Sequence, residues 1–282
     1  MIYGIRTVAK YLLGIDKAGR HFKIFPDDTM LVSYPRSGNT WMRFLIAHLM
    51  FPDHEITFAN IESLIPDTSS QSSRALKSIP RPRIIKTHEY FDHRYPRTIY
   101  IVRDPRDVVL SYYDFQRKYR QIEDCYPLDR YADDFVSGRL ISASWGTWAE
   151  NVGSWIHTRN GSPDFLLLRY EDMLDDTLSQ LARVADFLRV PRDPQRLRRA
   201  AELSSADRMR QLEQQQHERW IATRKRRTDI PFIGTAGSGG WKAALPAGCI
   251  RQIESTWGRL MAEVGYPLSV TNLPSEVPAR SR

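Results

Sequence analysis

Only two cysteines, Cys125 and Cys249, occur in the 282 residues of this chain. Two cysteines this far apart make no disulfide framework and match no metal or redox spacing. That suits a reducing compartment and predicts a cytoplasmic location. No apolar run approaches the roughly 18 residues of a membrane-crossing helix, so none is expected. The apolar start, Met1 to Ile15, is interrupted by Arg6 and Lys10 and is followed by no small-residue cleavage site. Residues 1–28 therefore read as an amphipathic segment packed on the rest, not a signal peptide; weak membrane-surface contact stays open. No linker rich in proline, glycine and serine divides the chain, and no internal repeat is visible. One domain over 29–268 is expected, followed by a polar, disordered tail over 269–282.

Acidic residues are outnumbered, 33 to 41 basic, giving a net charge of +8. Such a surface attracts polyanions in general. The basic residues form no long aromatic-studded stripe, however, and no nucleic-acid motif is present, so no nucleic-acid partner is expected. Several phosphate and ester signatures are missing too. There is no G-x-x-x-x-G-K-[ST] loop, no G-x-G-x-x-G turn and no G-x-S-x-G elbow.

What the chain does have is Tyr34-Pro35-Arg36-Ser37-Gly38-Asn39-Thr40-Trp41 between a strand-like run (30–35) and a helix-like run (39–50). A strand that turns into a helix through a tight loop makes an anion site. The first helical N–H groups lack internal partners, and the helix dipole favours negative charge. Gly38 permits close backbone approach, and Ser37, Asn39 and Thr40 add donors. Arg36 adds fixed charge, and Trp41 offers a face on which a base can stack.

Two further segments carry chemistry. Arg83-Ile84-Ile85-Lys86-Thr87-His88 is a short apolar strand ending in two ionisable groups whose side chains share one face. In Arg103-Asp104-Pro105-Arg106-Asp107, Asp104 is a good N-cap and Pro105 a good first helical residue. The strand 98–103 should thus end at Arg103 and a helix should run over 105–119, with Ser111 inside it. Ligands bind at that edge of open α/β sheets.

The loop resembles the phosphosulfate loop Y-P-K-S-G-x-T-W of the sulfotransferases that use 3′-phosphoadenosine-5′-phosphosulfate (PAPS), with Arg36 in place of the usual lysine. Lys86-Thr87-His88 is similar to the family's second strand and catalytic histidine. Arg103 to Tyr113 is similar to its 3′-phosphate motif R-x-P-[RK]-D-x-x-x-S-Y-Y. The resemblance implies His88 as general base and Lys86 as a bridge between sulfate and leaving phosphate. It places Arg36 on the 5′-phosphate, with the Ser37 to Thr40 amides. Arg103 and Ser111 would hold the 3′-phosphate, and Trp41 and Tyr170 would flank the adenine. An arginine at 36 cannot donate a proton near pH 7, which puts any proton-donating role of that position in doubt.

The C-terminal half departs from the pattern. Gly234 to Lys242 keeps the glycine-rich G-x-W-K ending of the family's closing segment but lacks its leading basic pair. Gly239 is assigned to the nucleotide; Arg226 and Arg227, in the basic run 224–227 just upstream, are assigned to supply the missing charge, with a solvated charge run as the alternative reading of that run. Ser204-Ser205-Ala206 has alanine where the family has an aromatic; Ser205 is still assigned to the nucleotide. Pro246, Ala247 and Arg251 break the family's dimerisation motif, so the oligomeric state stays open.

Apolar strands separated by helices predict a single α/β domain. Its central parallel sheet is flanked by helices, with a phosphate-binding strand–loop–helix related to that of nucleotide kinases. Further expectations are a strand over 83–87, another over 165–170 and helices near 59–64, 175–188, 194–203 and 249–264. Residues 120–140 read as irregular. A helix over 142–157 is expected to carry Trp145, Trp148 and Trp155 on one face, read as core-facing, with a wall of the substrate pocket as the alternative. Arg106 and Asp107 read as a helix-surface pair, and Glu89 and Asp92 as surface residues. The function expected is metal-free sulfuryl transfer from PAPS to a small-molecule hydroxyl. Its competitors are a kinase, lacking a Walker lysine here, and a non-catalytic polyanion binder. The acceptor pocket is expected to be built from residues 52–82, 119–145 and 215–240.

Overall fold

The computed structural model describes residues 17–140 and 144–269. The readings of residues 1–16 and of the tail beyond 269 lie outside the described residues.

Four parallel strands lie at the centre: β1 (Thr29–Ser33), β2 (Ile84–Thr87), β3 (Arg97–Val102) and β4 (Phe165–Arg169), in the order β2-β1-β3-β4. Strands covered on both faces read as continuous apolar runs, and every residue of β1 and β2 is buried. Alternate residues feed two separate cores. Met30, Val32, Tyr100 and Val102 face one, while Leu31, Ile99 and Ile101 face the other. The first core is covered by α4 (Pro105–Lys118), α5 (Leu128–Val136), α6 (Trp148–Arg159) and α12 (Ala247–Glu263). The second is covered by α1 (Asn39–Met50), α8 (Thr177–Leu188), α9 (Pro194–Leu203) and α10 (Ala206–Gln216). Short helices α2 (Ile61–Leu64), α3 (Ser73–Ser78), α7 (Tyr170–Asp175) and α11 (Trp241–Ala244) complete the order. β2 and β3 leave β1 on opposite sides. The carboxyl edge beside β1 is therefore a switch point, where a crevice opens.

Local signals explain most boundaries. Asp104 caps α4 by accepting from Arg106 N–H at 2.9 Å, and Pro105 opens the helix. Two expectations need correction. The helix assigned to 142–157 starts at Trp148. Thr147 and Glu150 form a reciprocal capping box there, so Trp145 precedes the helix and does not share its buried stripe. Residues 128–136 are helical, with Tyr131, Ala132 and Phe135 buried. Residues 206–216 form a further, mostly polar helix, α10, of which only Met209, Leu212 and Glu213 are buried.

A buried ion pair closes the amino-terminal edge. Arg83 Nε and Nη2 lie 2.9 and 2.5 Å from the two oxygens of Asp28, and both side chains are at most 1% exposed. Removing one partner leaves an uncompensated buried charge. Asp28→Ala should therefore lower unfolding free energy by about 3–5 kcal/mol in urea titrations; a loss below about 1 kcal/mol, the scale of a surface pair, contradicts this.

His48 gives the fold a pH dependence. It is buried beside Phe44 in α1, and its Nε2 has no partner. Burial, then Arg199 and Arg208, push it down to about 4. The unfolded chain, with an ordinary histidine near 6.5, binds more protons between those values. The contribution of His48 to stability is therefore fully present above about pH 6.5 and is lost as the pH falls toward 4. His48→Leu should flatten that decline in melting temperature; an unchanged slope contradicts the assignment.

Candidate active site

The carboxyl ends of β1, β2, β3 and β4 deliver the loop at 34–38, His88, Arg103 and Tyr170 to one cavity of about 1370 Å³. The loop is shaped by two left-handed residues, Arg36 (φ 68°) and Gly38 (φ 89°). At Gly38 a Cβ would sit 2.5 Å from the Tyr170 ring, so both conformation and space require glycine. Gly38 supplies no side-chain cap to α1. The first amides of that helix therefore face the cavity mouth without a side-chain acceptor.

Arg36 is held by the protein from several sides. Its Nε donates to Ser111 Oγ at 3.1 Å and its Nη2 to Phe232 C=O at 3.1 Å. Its guanidinium lies 5.2 and 4.8 Å from the Phe115 and Phe232 ring centroids. Burial, then Arg103, lower its pKa to about 10, which leaves it charged at neutral pH. Arg103 donates to Arg36 C=O at 2.9 Å and Gly237 C=O at 3.0 Å, lies over the Tyr170 ring, and keeps a buried Nε without a partner. Trp41 and Tyr170 meet edge to face at 6.0 Å on the same wall.

His88 is oriented by the backbone. Its Nδ1 lies 2.7 Å from Ser33 C=O. A carbonyl can only accept, so Nδ1 carries the proton and Nε2 is left as the basic nitrogen. Asn151 donates to the C=O groups of His88 and Trp145, and the two rings pack edge to face at 5.5 Å. Burial, then the Lys86 ammonium, push His88 down to about 3, so the imidazole stands neutral.

His88, Lys86, Arg36, Gly38, Asn39, Thr40, Trp41, Arg103, Ser111, Tyr170 and Arg226 all line this cavity. The Asn39 amide nevertheless points to the sheet, donating to Ser33 Oγ at 3.1 Å. Arg226 lies 4.4 Å from the Tyr119 ring. Ser37, Ser205, Arg227 and Gly239 are not on the wall. Ser37 is buried with an unpartnered Oγ. Ser205 is the exposed cap of α10, with its Oγ accepting from Arg208 N–H at 3.4 Å. Arg227 is ion-paired to Asp124 and Asp229. Gly239 donates its N–H to Asp107 at 2.6 Å.

Several residues that build the site carry no clear signal in the sequence. Arg106 and Asp107 are not a surface pair: both are buried. Arg106 bridges Asp104 and Glu254, and Asp107 accepts from Gly239 and Trp241 N–H, anchoring the glycine-rich segment. Lys118 donates to Arg227 and Ile230 C=O at 2.6 Å each, and Glu213 accepts from Phe232 and Ile233 N–H; together they pin the segment above Arg36. Asp67 pairs with Lys86. Glu89 and Asp92 are buried rather than on the surface. Asp67, Tyr119, Trp145, Trp220 and Phe232, from the three segments expected to form the acceptor pocket, line the cavity. Among the described residues no cluster of histidine, cysteine, aspartate and glutamate could hold a metal ion. No described helix is long and apolar enough to cross a membrane.

The family model described as sulfotransferase domain matches residues 26–265. The chain belongs to the sulfotransferase family. Sulfotransferase 1C2 of Oryctolagus cuniculus is 29% identical over 185 residues, covering 59% of this chain and 60% of that protein. The match to sulfotransferase 1B1 of Mus musculus runs further: 24% identity over 283 residues, covering 93% of this chain and 91% of that one. The crystal structure of retinol dehydratase in a complex with retinol and PAP superposes with a TM-score of 0.72 at 21% identity, covering 91% of this chain and 88% of that one. That likeness is one of fold, and it agrees with the single α/β domain expected from the sequence.

Proposed function

We propose that this sulfotransferase-family chain moves a sulfuryl group from PAPS to the hydroxyl of a small-molecule acceptor by in-line displacement. The observation that carries the proposal is the convergence on one cavity of a neutral, oriented histidine, two arginines, a lysine and an uncapped helix N-terminus. His88 Nε2 takes the acceptor proton as the acceptor oxygen bonds to sulfur and the bond from sulfur to the donor phosphate breaks. Arg36, Lys86 and the α1 amides stabilise charge on the departing phosphate. Arg103 and Ser111 recognise the 3′-phosphate, while Trp41 and Tyr170 bracket the adenine. Arrival of an anionic donor offsets the cations that depress His88 and raises its pKa toward the range of a useful base.

The donor set fits such an anion on this structure's own terms. The buried Nε of Arg103, a residue of the cavity wall, lacks a partner, and buried polar groups are ordinarily paired. The acceptor side is aromatic, with Tyr112, Tyr119, Trp145, Trp220 and Phe232 on the wall. It suits an apolar alcohol or phenol.

Incubation with radiolabelled PAPS and a panel of phenols, aliphatic alcohols and steroid alcohols tests this reading. Label should appear in an organic product, with 3′,5′-bisphosphate released in equal amount, and should persist in the presence of a chelator. Label transfer from the γ-phosphate of ATP with magnesium, and none from PAPS, would establish the kinase instead.

A further inference from the structure

Lys86 does not stand in the cavity as a solitary charge. Its ammonium lies 2.6 Å from Asp67 Oδ2, and the two side chains are 8% and 13% exposed. Backbone pairing sets them opposite each other: Lys86 N–H donates to Pro66 C=O at 2.8 Å, and Thr68 N–H to Lys86 C=O at 3.0 Å. The second oxygen of Asp67 accepts from Ser69 N–H at 2.8 Å and from Ser69 Oγ at 2.7 Å. Asp67 N–H donates to Glu62 Oε2 at 3.1 Å, and Glu62 Oε1 lies 3.0 Å from Arg43 Nη2. Arg43 belongs to α1, the helix that starts at the phosphate loop, and also donates to Ile65 C=O at 3.0 Å. One polar network thus runs from that helix, through the loop at 65–70, to Lys86.

A buried ammonium among other cations tends to lose its proton. Burial and Arg43 push Lys86 down; Asp67 and Glu62 push it up. His88 lies two residues on and feels Lys86, while Arg36 and Tyr119 close the cavity around the pair. Asp67 is badly suited to accept a proton itself. Burial alone would raise its pKa, but Lys86 and Arg43 hold it well below the ordinary carboxylate value, and both its oxygens are engaged.

We propose that Asp67 is a positioning residue for sulfuryl transfer: its carboxylate keeps the Lys86 ammonium charged and fixed beside His88. The proposal rests on the sulfotransferase reading of the cavity for its consequence, but not for its geometry. Without the carboxylate, Lys86 loses the charge that neutralises the departing phosphate as pH rises.

The test titrates Lys86 directly in the full chain. Its rate of modification by a small amine-reactive anhydride is followed against pH by peptide mass spectrometry in wild type, Asp67→Asn and Asp67→Glu. Loss of a contacting opposite charge should lower the midpoint by about 1–3 pH units in Asp67→Asn. Asp67→Glu, which keeps the charge, should stay near wild type and guards against a mere folding defect. The alkaline fall of kcat should move down with the midpoint. Asp67→Asn combined with Lys86→Arg should abolish that fall, because arginine stays charged. An unchanged midpoint in Asp67→Asn, or an alkaline limb that stays put while the midpoint moves, overturns the proposal. Failure of wild type to transfer sulfuryl from PAPS would count against the function proposed above and leave the midpoint to decide the pairing.

Discussion

Replacing His88 with alanine should lower turnover by about 10²–10⁴-fold, the usual contribution of a positioned general base, and leave affinity for adenosine 3′,5′-bisphosphate within a few-fold. The expectation follows from where the imidazole sits. Nδ1 is committed to Ser33 C=O at 2.7 Å, so only Nε2 is available to an acceptor. The ring is thus tied to the backbone of β1 rather than to the residues proposed to hold phosphate, and nucleotide binding should survive its loss. His88→Gln can still donate to Ser33 C=O but has no comparable basicity, so it should be as inactive as His88→Ala while melting nearer to wild type. Steady-state kinetics with calorimetric nucleotide titration separates these effects. Turnover retained in both variants would remove His88 from the chemistry. A parallel loss of nucleotide affinity would make it a binding residue.

Arg103→Ala should weaken the bisphosphate by about 10- to 150-fold, from a lost charge-assisted hydrogen bond of roughly 1.5–3 kcal/mol. Affinity for adenosine 5′-monophosphate, which lacks the 3′-phosphate, should change little. The contrast matters because Arg103 also acts locally. It donates to Arg36 C=O and Gly237 C=O, tying the phosphate loop to the glycine-rich segment. If that tie were its whole contribution, both nucleotides would weaken equally. Ser111→Ala, which removes a neutral hydroxyl bonded to Arg36 Nε, should give the same pattern at about 0.5–1.5 kcal/mol.

The parts of the site that can be read from the sequence are those built from neighbours in the chain. Residues 34–41 and 103–113 each follow directly on a strand and contain a cap and a helix start, and those local preferences survive in the fold. The cap at Asp104 and the tight turn at Gly38 are examples. What cannot be read is made by partners far apart. Asp107 meets Gly239, Lys118 meets Ile230, and Lys86 meets Asp67 through a parallel backbone bridge outside the named strands. Nothing in the spacing of a lone aspartate announces such a contact. Polar α10 escapes sequence reasoning for a related reason: a helix resting on a few buried side chains shows little apolar period. Trp145 is different, because a signal is present. Thr147-Trp148-Ala149-Glu150 is a capping-box sequence, and it marks the helix start three residues after Trp145. Tryptophan periodicity overrides that mark and assigns to the core a residue that lines the cavity beside His88.

Everything proposed for the cavity depends on its being a site for a nucleotide carrying a 3′-phosphate. The most direct measurement is a thermal-shift titration of the purified chain with adenosine 3′,5′-bisphosphate, adenosine 5′-monophosphate and ATP with magnesium. A ligand that binds only the folded state raises the melting temperature by mass action. The bisphosphate should give the largest shift, the monophosphate a small one, and Arg103→Ala should erase most of the difference. A shift with ATP and magnesium but none with the bisphosphate would contradict the account.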